Sequence, residues 1–334
     1  MKLFILGSGF SKSISSYMPT VTELAEYIKS KINLIPGDYE VYKSLVDDPE
    51  NLLSYLYQPM PWKKDEESLI DKAAFINITT MITNYIKECE ELSIKNGIPE
   101  WSFRFVEYLH RNSLTIATLN YDTLIERISR PLMVLDENEE RDIDTSNFYR
   151  MPLMKISGRT NFLWGIEWYE TYHLLKLHGS INWYFSGDEV FNGQQVYYVP
   201  VESDSPITDI QNETSNLIDL VPLIIPPVSE KTAFYRTKLV RSLWSVFRES
   251  IEKAKEIYMI GYSIPKTDLT MRMFLSSFGC KNKPVIYIVN NATGKASEEL
   301  LNNYRGVFSG CTIDTKYLGI PNAVEVMVND LLTF

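Results

Sequence analysis

Five groups of residues in this sequence have types and local settings suited to chemistry. Gly7-Ser8-Gly9-Phe10-Ser11 follows a short apolar run, residues 2–6, where a strand would turn into a helix. Glycines at such a turn let the backbone approach a pyrophosphate, and the amides that follow can hold anionic oxygens. Asn120 and Asp122 lie in Thr118-Leu119-Asn120-Tyr121-Asp122, directly after a second apolar run. Asp122 suits a helix N-cap, whereas Asn120 is a polar group that a buried strand end would hold at the rim of the sheet. His178 ends a third run, in Lys176-Leu177-His178-Gly179-Ser180-Ile181-Asn182-Trp183. A histidine there either satisfies a structural hydrogen bond or acts as a general base. Gly261-Tyr262-Ser263-Ile264-Pro265 closes a further run, and Asn290 closes the next.

Such groups meet only if a sheet brings the ends of their strands to one edge. Strand text occupies residues 2–6, 114–118, 173–177, 195–201, 220–225, 257–260, 285–289 and 311–313. Thr20 or Thr22 caps a helix over 23–32, residues 39–91 read as helical, and 101–112 is a further helix. Asp122 caps another running to Arg130. Helices near 233–255, 267–278 and 295–304 then alternate with the last strands, and a final one begins near Pro321. That alternation predicts an α/β fold, a Rossmann-like parallel sheet with helices on both faces. The whole chain, 1–334, reads as one domain with a mostly helical insertion at about 39–100 and an irregular insert at about 131–170. The acidic stretch 136–144 reads as a solvated loop. The basic residues Lys231, Arg236, Lys238 and Arg241 read as a solvated helix face or a partner surface.

Composition narrows the function class. The 334 residues are 45% hydrophobic and 23% charged, and 43 acidic side chains against 33 basic ones give a net charge of -10. That balance repels phosphate backbones and argues against direct nucleic-acid binding. Three cysteines, Cys89, Cys280 and Cys311, have no CxxC spacing, which predicts a reduced, cytoplasmic protein without a cysteine-built zinc site. The apolar run after Lys2 is too short for a secretory signal, and no run is long enough to span a membrane. The first glycine motif lacks the third glycine of the dinucleotide fingerprint, and no second strand follows with an acidic residue about 20 positions on. A conventional hydride-transferring dehydrogenase is thereby disfavoured.

The order of the motifs, GSGFS, TLNYD, KLHGSINW, PLIIPP, IGYSIP and IVN, resembles the sirtuin-like NAD-binding family. It looks closest to the bacterial branch that hydrolyses NAD, the antiphage-defence NADases. The resemblance implies that Gly7, Ser8, Gly9, Phe10 and Ser11 contact NAD phosphates and ribose. It places Asn120 and Asp122 beside the nicotinamide ribose, and His178 as the base. Gly261 and Ser263 fall on the phosphate and adenosine side, and Asn290 near the adenine ribose. It implies an NAD glycohydrolase, releasing nicotinamide and ADP-ribose, that depletes NAD in abortive infection. It also implies a homo-oligomer governed by a HerA-type ATPase or a phage-sensing protein. Residues 18–20, Met-Pro-Thr, match the family's small-Pro loop, but Val21-Thr22 replaces its Phe-Arg pair. The four zinc cysteines of the deacylases are absent, so no zinc module is expected and a deacylase is disfavoured. A non-catalytic NAD or ADP-ribose sensor, and a protein ADP-ribosyltransferase or deacylase, are the alternative readings.

Overall fold

A computed structural model describes residues 1–35, 37, 39–58, 60–136, 139–151, 153–155, 169–186, 195–203, 220–226, 235 and 237–333. Its strands are β1 (Lys2–Leu6), β2 (Thr115–Thr118), β3 (Met133–Asp136), β4 (Glu139–Asp142), β5 (Met154–Lys155) and β6 (His173–Lys176). They continue with β7 (Gly179–Ser186), β8 (Gln195–Tyr198), β9 (Val221–Ile224), β10 (Glu256–Ile260), β11 (Val285–Val289) and β12 (Thr312–Asp314). Six of them form one parallel sheet in the order β12-β11-β10-β1-β2-β6, the Rossmann-like α/β architecture expected. The sheet is wound outward from β1 in both directions, so the strand order reverses between β1 and β10. In such sheets the crevice outside the carboxyl ends at this reversal is where ligands sit.

The central strand is apolar because no face of it meets water. Leu3, Phe4 and Ile5 are fully buried. Phe4 stacks on Tyr258 of β10 at 5.0 Å and meets Phe105 edge-on at 5.4 Å. The helices that follow β1 are α1 (Ser8–Ile14), α2 (Val21–Lys31), α3 (Tyr39–Leu45), α4 (Pro49–Tyr57), α5 (Asp65–Lys95) and α6 (Glu100–Arg111). Thr20, not Thr22, caps α2 in a capping box with Glu23. The Lys12 ammonium and the Thr20 amide hold the Glu23 carboxyl down at about 2. The continuous helical text over 39–91 resolves into α3, α4 and α5. Asp48 starts α4 by accepting from the amides of Glu50 (3.1 Å) and Asn51 (3.2 Å), with Pro49 in its first turn.

Three expectations are corrected. The strands expected at 195–201 and 220–225 do not join the main sheet. As β8 and β9 they flank β7 in a second, four-stranded sheet ordered β5-β8-β7-β9. The acidic stretch is not wholly a solvated loop. It includes β4, paired with β3, and Asp144, which caps the short helix Thr145–Tyr149, pairs with Lys155 at 2.7 Å and is held at about 2 by these contacts. Cys280 and Cys311 are joined in a disulfide, while Cys89 is buried and free, against the expectation of three reduced thiols. Lys231 and Arg236 lie outside the described residues. Lys238 and Arg241 are exposed on the helix Lys238–Lys253. Among the described residues no helix is long and apolar enough to cross a membrane, and no three His, Cys, Asp or Glu side chains cluster as metal ligands.

Candidate active site

The turn after β1 and the turn after β10 interlock at the crevice. Gly7 donates to the Ile260 carbonyl (2.9 Å) and Gly9 to the Gly261 carbonyl (3.0 Å). Gly261 sits at φ +60°, and a Cβ there would lie 2.3 Å from the Phe10 nitrogen. A Cβ on Gly7 would come within 2.7 Å of the Gly261 carbonyl, and one on Gly9 within 2.7 Å of the Gly261 Cα. All three glycines are therefore required by backbone packing against backbone, whatever else they approach. Phe10 is 3% exposed and packs on Trp101 (6.2 Å) and Phe105 (5.8 Å). Its ring anchors α1 in the core and does not line either cavity of the crevice.

Ser11, Asn120 and Asp122 form one hydrogen-bonded unit across more than 100 residues of chain. The Asn120 amide donates to the Gly7 carbonyl (2.9 Å) and to Ser11 Oγ (2.8 Å), and Ser11 Oγ donates to Asp122 Oδ2 (2.7 Å). Because the Gly7 carbonyl can only accept, the atom facing it is the amide nitrogen. Asn120 thus spends both amide hydrogens on the protein and offers Oδ1, an acceptor, to anything in the crevice. Asp122 does not cap its helix as a conventional N-cap. Thr123 holds that position before α7 (Leu124–Ser129), and Asp122 Oδ1 accepts from the Leu124 amide at 3.3 Å. Burial pushes the Asp122 carboxyl up to about 6, aided by Glu90 and Glu126 and opposed by Lys176 and the Ser11 hydroxyl.

These residues open onto a cavity of about 190 Å³ that also takes in His178, Gly261 and Ser263. His178 lies between β6 and β7, is 7% exposed, and is fixed by its carbonyl accepting from the Ile225 amide (2.8 Å). A second cavity of about 600 Å³ adjoins the interlocked turns. Gly9, Lys12, Trp101 and Asn290 line it, and Thr20 and Gly261 border both cavities. Asn290 is held by its backbone pairing with Tyr317 and Gly319, and its side chain accepts from the Ala292 amide (2.9 Å). The structure so gathers Gly7, Ser8, Ser11, Asn120, Asp122, His178, Gly261 and Ser263 at one cavity, with Gly9 and Asn290 at its neighbour.

Two carboxylates that no motif signals also line the first cavity. Glu50 comes from the first turn of α4, and Asp268 caps the helix Leu269–Phe278 while accepting from Tyr262 Oη (2.7 Å). Asp268 could have been found as a capping residue just after the Gly261 turn. Nothing in the sequence points to Glu50, because the insertion's approach to the crevice is a matter of packing alone. Among the described residues no Lys or Arg lines this cavity, so its carboxyl groups, Glu50, Asp122 and Asp268, have no basic side chain beside them in the lining.

No family model matches the chain, and no curated protein does. Solved structures similar to it include two point mutants of a Sir2 homologue in complex with ADP-ribose. Each has 12% identity and a TM-score of 0.41, covering 100% of this chain and 94% of the other. A triple mutant of Sir2 homologues in complex with 2'-O-acetyl ADP-ribose has 12% identity and a TM-score of 0.44, covering 99% and 92%. Likenesses of this size fix neither family nor activity.

Proposed function

We propose that this protein cleaves the N-glycosidic bond of NAD, releasing nicotinamide and ADP-ribose. The observation that carries the reading is the meeting of Asn120, Asp122 and His178 in one cavity at the strand-order reversal, with Asn290 in an adjoining cavity. A dinucleotide has two halves joined by a pyrophosphate. The two cavities and the glycine turns between them have that layout.

The chemistry follows from the residue types. As the bond from ribose C1' to nicotinamide breaks, its electron pair returns to the ring nitrogen, and nicotinamide leaves neutral without a general acid. The ribose passes through an oxocarbenium-like transition state, as in glycoside cleavage. Fixed negative charge on Asp122, with Glu50 and Asp268 on the surrounding walls and no described cation among them, favours the growing positive charge. Water attacks C1', His178 takes its proton, and Asn120 Oδ1 accepts a hydrogen bond from that water or a ribose hydroxyl. Base catalysis of this kind contributes about 10²–10⁴-fold. The ordered motifs described above support placing this activity in a cytoplasmic, oligomeric, NAD-depleting effector of antiphage defence held by a partner protein.

Chromatography of NAD incubated with the purified protein tests the reaction. Nicotinamide and ADP-ribose are expected in equal amounts, with turnover lowered about 10²-fold or more in His178→Ala and in Asn120→Ala. Full activity in either folded variant, confirmed by circular dichroism, removes that residue from the mechanism.

A further inference from the structure

Lys176 is a lysine without solvent contact. It lies on β6, two residues before His178, and its side chain is 0% exposed. Taking an ammonium out of water is costly unless every proton finds an acceptor. Here the Nζ donates to Glu126 Oε1 (2.9 Å), to the Tyr121 carbonyl (3.4 Å) and to the Asp122 carbonyl. Glu126 is equally buried and accepts in turn from Tyr149 Oη (2.9 Å). The same stretch of backbone is gripped from the other side of His178. The Tyr121 carbonyl also accepts from the Ile181 amide (2.9 Å) and Ser180 Oγ (3.3 Å), while Leu177 donates to the Thr118 carbonyl (3.0 Å). The residues flanking His178 therefore hold the turn that carries Asn120 and Asp122, and Lys176 is the ionic member of that grip.

We infer that Lys176 is a positioning residue for the cleavage proposed above: its buried ammonium fixes the Asn120–Asp122 turn against the strand that carries His178. The inference rests on that functional reading for its catalytic consequence, and on geometry alone for the contact. A hydrophobic core would need no charge here. The ammonium also supplies the positive potential that opposes Asp122 protonation, against Glu90 from α5 and Glu126 from α7. Ser11 from α1 and the Leu124 amide are the hydrogen-bond donors on that carboxyl.

The test uses Lys176→Met and the double variant Lys176→Met/Glu126→Gln, in which no buried charge is left unpaired and Tyr149 keeps an acceptor. Two readouts are taken: steady-state kinetics with NAD, and the titration of the Asp122 carboxyl by carbon NMR, assigned with Asp122→Asn. The expected result is kcat lower by about 10²-fold with KM little changed in both variants, and an Asp122 midpoint raised by about one unit in Lys176→Met and by less in the double variant, which also removes the Glu126 charge. A folded variant with wild-type kcat and wild-type Asp122 titration overturns the inference. So does failure of both variants to fold, which would give Lys176 to the core alone. If the wild-type protein leaves NAD intact, the functional reading fails while the Asp122 titration still reports on Lys176.

Discussion

Asp122 places a carboxyl in a nearly buried position at the cavity wall, 8% exposed, and this fixes how stability and activity divide with pH. Its midpoint of about 6 lies above the ordinary 3.8, so folding favours the protonated form. The stabilisation is complete below about pH 4 and is lost as pH rises through about 6, where the folded protein must hold a buried carboxylate. Two units correspond to about 3 kcal/mol. Asp122→Asn cannot ionise, so its stability relative to wild type should improve by about 3 kcal/mol between pH 4 and pH 8. Urea unfolding at the two pH values measures this, and a gap that does not move with pH would show that Asp122 titrates normally. The proposed chemistry needs the ionised form. Turnover should therefore fall below about pH 6, and Asp122→Asn should be inactive across the range. In the proposed chemistry, the group that stabilises the transition state is thus one that the fold would hold more cheaply neutral.

At the scale of elements, the interlocked turns make a sharper claim than a glycine motif does. Gly261 and Gly294 both have positive φ, +60° and +58°, but a Cβ on Gly294 meets nothing within 4 Å. Gly294→Ala should cost only the left-handed strain of an alanine, about 1–2 kcal/mol. Gly261→Ala adds a collision with the backbone of Gly9 and Phe10, and should cost about 3 kcal/mol or more and abolish NAD binding. Equal urea midpoints for the two variants would disprove the interlock. The sequence carried the strands of this arrangement but not their contact. β1, β2, β6, β10 and β11 were legible because each is a short apolar run stopped by glycine or a polar residue. The glycines of the first motif were legible as a tight turn. Their partner, some 250 residues on, was not, since close packing of two backbones leaves no periodic trace. β7 was missed for a related reason: Asn182 and Trp183 are both buried, so no alternation of polar and apolar residues marks a strand. The placing of β8 and β9 in a second sheet rests on pairing with that unseen strand.

Among the described residues, two cavities adjoin one pair of turns and share Thr20 and Gly261; in the proposed function a single ligand spans both. The cavity with His178, about 190 Å³, is smaller than most small-molecule sites, and the one with Asn290 holds about 600 Å³. A ligand that fills only one gains one set of contacts. A ligand that spans both makes the second set as an intramolecular event, at high effective concentration. The overall charge of -10 offers no long-range attraction to a pyrophosphate, so affinity has to come from this local fit. ADP-ribose should therefore stabilise the protein more than its fragment AMP does. At about 100 times its Kd it contributes about 2.7 kcal/mol, which for a chain of this length raises Tm by about 4 °C. Nicotinamide at the same concentration should leave Tm unchanged, and AMP should give a smaller rise. Uncleaved NAD, tested on the His178→Ala variant, should match or exceed ADP-ribose. An AMP shift equal to that of ADP-ribose would mean that the Asn290 cavity alone holds the ligand, and the two cavities would then not form one site.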